Sequence, residues 1–188
     1  KEKRKIVGIG TAPSEHISSV NIDNFAASYE LCKHIADSGR KRFMYLSGLD
    51  GSFVSDERKR GFLAALGDCG VEIDESNILS AKYSEDMARQ IILEREPDVD
   101  AVICANDDMA IGAIKALREL GKNVPGEVCV AGGDNILLGE YITPRLTTFD
   151  NMQYELGERA FDEILARING ENAKDIVIKG GIVIRESA

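Results

Sequence analysis

The chain has 188 residues, 44% hydrophobic and 29% charged, the balance of an ordinary globular domain with one good-sized core and not of a disordered segment. A net charge of −9 provides no positive field for a phosphate backbone, so any contact with DNA belongs to another segment. No apolar run approaches the roughly 20 residues of a membrane span. Cys32, Cys69, Cys104 and Cys129 lie far apart in apolar stretches, without a CxxC pair or a histidine at metal-ligand spacing, which predicts buried thiols, a reducing cytoplasm and no metal site.

The first residues lead into an apolar stretch at 6–10 that reads as a strand and not as a signal-peptide core. It opens so abruptly that the sequence is expected to be a fragment. A helix is predicted over 25–38, with Ala27, Leu31 and Ile35 on one face and Gly39 as its stop. A buried strand follows at 43–46. Ser55 or a neighbour opens a second helix, with Phe62, Leu63, Ala65 and Leu66 on its apolar side, ending near Gly70.

Residues 78–80 form a short strand, and Ser84 caps a helix whose first turn holds Glu85 and Asp86, where the dipole favours acids. Pro97 bounds that helix. A continuous apolar run at 101–105 has the character of a central parallel strand. A helix at 107–120 closes at Gly121, and 128–131 is the next strand. Four βα units in a row predict a doubly wound parallel α/β sheet. After them the rhythm changes to strands at 146–149, 176–178 and 182–184 and a long helix at 152–168. Gly180 and Gly181 mark a hinge or crossover.

Ligands of open α/β sheets collect beyond the carboxyl ends of the strands. Those positions are polar in this sequence: Ser47, Asp50 and Ser52 with Arg58 in the helix behind them, then Tyr83, then Asn106, Asp107 and Asp108, then Asp134 and Asn135. Amide and carboxylate groups pair with vicinal hydroxyls, guanidinium spans two oxygens, and an aromatic face covers C–H surface, so the set suits a polyhydroxylated ligand. The competing reading makes Asn106 or Asp107 a helix cap, Asp134 a turn residue and Arg58 a solvated charge.

Enzyme motifs are missing. Gly8 and Gly10 begin a Gly-x-Gly, but Pro13 occupies the next glycine slot, so there is no dinucleotide fingerprint. There is no Walker loop and no GxSxG elbow. His16 and His34 have no evident partner, and no lysine after a late strand supports a phosphoacceptor site among Asp23, Asp50, Asp107 and Asp108. No catalytic residue and no cofactor are expected.

The runs VNIDN (20–24), RKRGF (58–62), CANDDMAIG (104–112), VAGGDN (130–135), PRLTT (144–148) and IRES (184–187) resemble, in order and spacing, the effector-binding region of the LacI/GalR family. The resemblance covers residue 6 to the end. It implies a periplasmic-binding-protein-like fold of two α/β subdomains joined by three crossovers, here near Val20, Phe149 and Gly180, with the effector between them. Residues 20–149 and 180–188 are then the C-terminal subdomain, and 1–19 and 150–179 are remnants of the N-terminal one.

The resemblance also implies a sugar or nucleobase-like effector contacted by Arg58, Asn106 and Asp134. Tyr83 and Val20 fall where some members place an aromatic, and Ser52 lies at the same sheet edge. Gly133 departs from the aromatic often found before the aspartate. The implied partners are a second copy, through the apolar loop at 136–142, and DNA, through a helix-turn-helix outside these residues. The rivals are a periplasmic sugar-capture protein of a transporter, a sensor domain of another signalling protein, and an enzyme of flavodoxin-like build.

Overall fold

A computed structural model describes residues 5–11, 17–172 and 174–188; Pro13 and His16 lie outside them. The second of its sheets is built from β3 (Phe43–Ser47), β4 (Ile78–Ser80), β5 (Ala101–Cys104) and β6 (Cys129–Ala131), ordered β4-β3-β5-β6 with every pairing parallel. The runs 43–46 of β3 and 101–104 of β5 are apolar and buried because helices cover both faces. α1 (Asn24–Asp37) packs on α2 (Phe53–Asp68) over one face, and α3 (Glu85–Arg95) on α4 (Asp107–Glu119) over the other.

Both helix pairs meet at a glycine. A Cβ on Gly61 would lie 2.2 Å from Phe25 O, and one on Gly112 would lie 2.2 Å from Glu85 O. The absent side chains let the backbones approach closely. Under this contact Tyr45 stacks on Phe62 with ring centroids 4.5 Å apart, both rings buried in the core.

The first sheet comprises β1 (Val7–Ile9), β2 (Ser18–Ile22) and β8 (Ile176–Ile178), in the order β1-β2-β8 and all parallel. α5 (Gln153–Ile168) packs against it. β2 has no apolar run to announce it, yet all five of its residues are buried. Its hydroxyls are satisfied internally: Ser18 donates to Glu163 at 2.6 Å and Ser19 to Asp175 at 2.6 Å. Hydrogen bonding removes most of the cost of burying them.

The chain passes between the sheets three times, after Ile22, after Phe149 and after Ile178, and the passages are tied together. Asp23 N donates to Ile178 O and Asp150 N to Gly181 O, each at 2.8 Å. A Cβ on Gly180 would stand 2.5 Å from Asp150 O, so this glycine allows the close approach. β7 (Thr148–Phe149) and β9 (Ile182–Val183) pair antiparallel beside these passages.

Two expectations shift. The strand anticipated at 146–149 is reduced to Thr148–Phe149, with Thr147 bridged in parallel to Ala131. Cys32, Cys104 and Cys129 are buried, but Cys69 is half-buried at the end of α2, its thiol 3.7 Å from the Asp37 carboxylate.

The glycine contacts predict opposite effects for one substitution. Gly61→Ala should destabilise the fold by about 1–3 kcal/mol through overpacking. Gly157→Ala, inside α5 with nothing within 4 Å of a Cβ, should stabilise it by about 0.5–1 kcal/mol. Urea unfolding midpoints of the two variants check both.

Candidate functional site

Arg58 rises from the second turn of α2 beneath the carboxyl edge of the second sheet and is 4% exposed. Its Nε donates to Asn24 Oδ1 at 2.9 Å, and its terminal nitrogens donate to Ala105 O at 2.5 Å and Asp134 Oδ1 at 2.8 Å. The guanidinium also lies over the Phe149 ring, 4.8 Å from its centroid. A buried guanidinium is tolerated where its charge is paired and its donors are used. Burial pushes the Asp134 carboxyl above its usual range, and Arg58 opposes that shift.

Gly133, which departs from the family pattern, is explained by the same ring. A Cβ there would stand 2.3 Å from Phe149, so an aromatic at 133 and the Phe149 ring exclude each other. Asp134 follows with φ of 111° and Asn135 with φ of 53°. Left-handed backbone in a non-glycine residue is strained, and it clusters at sites where the surroundings enforce it.

Asp107, the first residue of α4, is wholly buried. Its Oδ1 accepts from the Thr148 hydroxyl at 2.6 Å and its Oδ2 from Ile136 N at 2.8 Å. Its own N–H donates to Gly133 O at 2.8 Å. It thus pins the 133–136 turn and β7 to the start of α4. Burial pushes its carboxyl up to about 7, against the opposing bonds from Thr148 and Ile136.

A cavity of about 170 Å³ opens beside Arg58. The first sheet contributes Ile9, Gly10, Asn21 and Ile22, α2 contributes Val54 and Arg58, and the crossover after β7 contributes Asn151. Of the residues expected at the site, Arg58 lines this cavity and Asp134 is one hydrogen bond behind it. The other four do not line it. Asn106 turns its Oδ1 to Met109 N at 3.1 Å as a helix cap, and Val20 is buried within the first sheet.

Ser52 flanks α2 without a side-chain capping bond. The Tyr83 ring covers Gly48, where a Cβ would lie 2.1 Å from it. Asn21, Asn24 and Asn151 were not singled out from the sequence. Asn21 and Asn24 both stand in the VNIDN run, and Asn151 stands 17 positions after Asp134, beyond the polar segments that follow the strands.

Residues 32–188 match the family model of the periplasmic binding protein-like domain. The chain belongs to that family. It is similar to the HTH-type transcriptional regulator CelR of Thermobifida fusca, 30% identical over 93% of this chain and 53% of the relative. It is also similar to the HTH-type transcriptional repressor PurR of Mannheimia succiniciproducens, 35% identical over 97% of this chain and 56% of the relative. A solved transcriptional regulator CelR–cellobiose complex superposes with a TM-score of 0.91 at 28% identity, covering 97% of this chain and 58% of that one.

The resemblance to LacI/GalR effector-binding regions drawn from the motifs therefore holds, as does the parallel α/β fold it implied. The chain spans about half the length of the curated relatives it matches. No helix among the described residues is long and apolar enough to cross a membrane.

Asp107 supplies this domain with a pH dependence. Its folded value lies above the ordinary 3.8, so between about pH 4 and pH 7 the folded state holds a proton that the unfolded state has lost. The resulting stability is complete below pH 4 and is lost as pH rises through 7. Asp107→Asn, which mimics the protonated acid, should remove this dependence. Relative to that variant, the wild type should lose on the order of 3 kcal/mol between pH 4.5 and pH 7.5, measured by urea unfolding at the two pH values.

Proposed function

We propose that these residues form the effector-sensing region of a LacI/GalR-type transcriptional regulator of the cytoplasm. It binds a sugar or nucleobase-like polar metabolite and releases it unchanged. The observation that carries this reading is the cavity beside Arg58, whose walls come from the first sheet, from the helices α1 and α2 that cover the second sheet, and from a crossover between the sheets. A ligand held there contacts both bodies, favours one angle between them and shifts a closure equilibrium.

The named relatives are helix-turn-helix regulators, and a similar structure is a complex with cellobiose. We assign the first sheet and α5 to the N-terminal subdomain and the second sheet to the C-terminal one. DNA binding falls to a helix-turn-helix outside these residues. A second copy docks on the loop carrying Leu137, Leu138 and Tyr141, which are exposed around a 3₁₀ turn; clustered exposed apolar side chains mark association surfaces.

Thermal-shift screening of the full-length protein against sugars, sugar phosphates and purines tests the reading. A true effector at a hundredfold excess over its Kd adds about 2.7 kcal/mol of apparent stability and is recovered unchanged. Arg58→Ala and Asp134→Asn should each weaken its binding by roughly thirtyfold or more, in keeping with loss of a charged hydrogen bond at a buried pair. Unchanged affinity in both variants overturns the site, and turnover of the ligand overturns the sensing role.

A further inference from the structure

The outer face of α5 is unlike that of the other helices. Tyr154, Phe161, Leu165 and Ile168 follow one another at spacings of seven, four and three residues, which sets them along one side of the helix. All four are exposed, Tyr154 at 95% and Phe161 at 62%, whereas in α1 to α4 one large apolar side chain, Leu63, is exposed. The opposite side of α5 is the one that packs. Glu163 is buried there and accepts from the Ser18 hydroxyl of β2 at 2.6 Å.

The N-terminal half of this face lines a groove of about 740 Å³, in which Tyr154 and Phe161 stand beside the carboxylates of Asp150, Glu155, Glu158 and Asp162. Among the described residues Arg159 is the one cation lining the groove, and it reaches Glu155 at 3.4 Å. Asp150 is spent on Met152 N and Asn135 Nδ2, at 2.8 and 3.0 Å. Glu158 and Asp162 have no hydrogen bond or ion pair among the described residues. They stand four positions apart on one helix, where like charges are destabilising.

The patch continues onto the outer strand of the first sheet. Glu155 and Arg159 also line a second hollow with Ile176, Val177 and Lys179, and Val177 is 64% exposed. β8 lies at the opposite edge of that sheet from β1, so a strand added beside β1 would extend the sheet away from the groove. Exposed aromatic side chains rimmed by uncompensated carboxylates suit an amphipathic cation-bearing partner. Its apolar groups lie against the rings, and its ammonium or guanidinium groups reach both the acids and the ring faces. An anionic partner is repelled.

We propose that the Tyr154–Phe161 face of α5 is the docking surface for a partner protein that presents a basic amphipathic helix. Its apolar side chains seat against Tyr154 and Phe161, and its Lys or Arg head groups pair with Glu158 and Asp162. The partner is cationic because the unpaired acids stand among the exposed rings. It is helical because a helix laid along α5 meets the apolar stripe at its own spacing. The inference goes beyond the sensing reading and does not depend on it.

Titration of the full-length protein with a fluorescently labelled helical peptide of leucine and lysine at amphipathic spacing, and with the same peptide carrying glutamate for lysine, tests the proposal. The lysine peptide should bind and the glutamate peptide should not. Tyr154→Ala, and Glu158→Lys combined with Asp162→Lys, should each weaken the lysine peptide by about tenfold, as loss of an aromatic anchor or of the paired charges does. The same double reversal at Glu30 and Glu72, exposed acids of α1 and of the loop after α2, should leave its affinity unchanged.

Equal weakening by the reversals at Glu30 and Glu72 reduces the binding to net charge and overturns the surface, as does undiminished binding by Tyr154→Ala or no binding by the wild type. Two further outcomes replace the partner with another occupant and overturn the proposal. A lower oligomeric state of Tyr154→Ala in sedimentation assigns the face to a second copy. Protection of Tyr154 from nitration in the full-length protein assigns it to the chain itself. The comparison of the two peptides uses wild-type protein, so it stands without any variant.

Discussion

The site depends on a single side chain reaching across four parts of the fold. From α2, Arg58 touches the start of α1 through Asn24, the end of β5 through Ala105 O, the turn after β6 through Asp134 and β7 through Phe149. These segments are distant in sequence and are brought together at the edge where parallel strands end. Without a counter-charge the buried guanidinium would be prohibitive, and without the guanidinium the strained Asp134 turn would lose the partner that holds it. Removing one member of such a pair typically costs about 3–5 kcal/mol, since the other is left buried and uncompensated.

Asp107 organises the neighbouring edge by the same logic with an acid in place of a base. Its two oxygens hold a backbone amide and a hydroxyl from segments 29 and 41 positions away in sequence, and Gly132 leaves it room, because a Cβ there would stand 2.3 Å from Asp107 Oδ1. The two residues therefore lock different contacts of one turn. Asp107 fixes where 133–136 runs, and Arg58 fixes which way Asp134 points. Neither Asn106, a cap, nor Asp108, exposed at the helix start, shares that position, although the three adjoin in sequence.

The second sheet was legible because its signals are local. Runs such as 43–46 and 101–105 are apolar throughout, and Ser84, Gly39, Gly70 and Gly121 mark helix ends where the structure has them. Arg58 and Asp134 were legible from their place after strands and in the family motifs. The β2 strand was not, because Ser18, Ser19 and Asn21 carry no apolar signal; the hydroxyls of Ser18 and Ser19 are satisfied by Glu163 and Asp175, 145 and 156 positions away. Asn21 stands in the VNIDN run, although nothing local marks its burial, and Asn151 lies in a passage between sheets that no periodicity marks.

Arg58 and the groups it bonds hold one wall of the cavity beside the crossovers. Three of the five guanidinium N–H groups of Arg58 are bonded within the protein, and these bonds keep the wall in shape. Asn21 belongs to the first sheet, and Asn151 to the passage leaving the second. A ligand in contact with both sides of the cavity would gain its full affinity at one angle between the sheets alone. That differential affinity is what moves a two-state equilibrium; tight binding shared equally by both angles would move nothing. The three bonded passages at Asp23, Asp150 and Gly181 keep the sheets in one body while leaving the hinge between them as the coordinate on which such a difference acts.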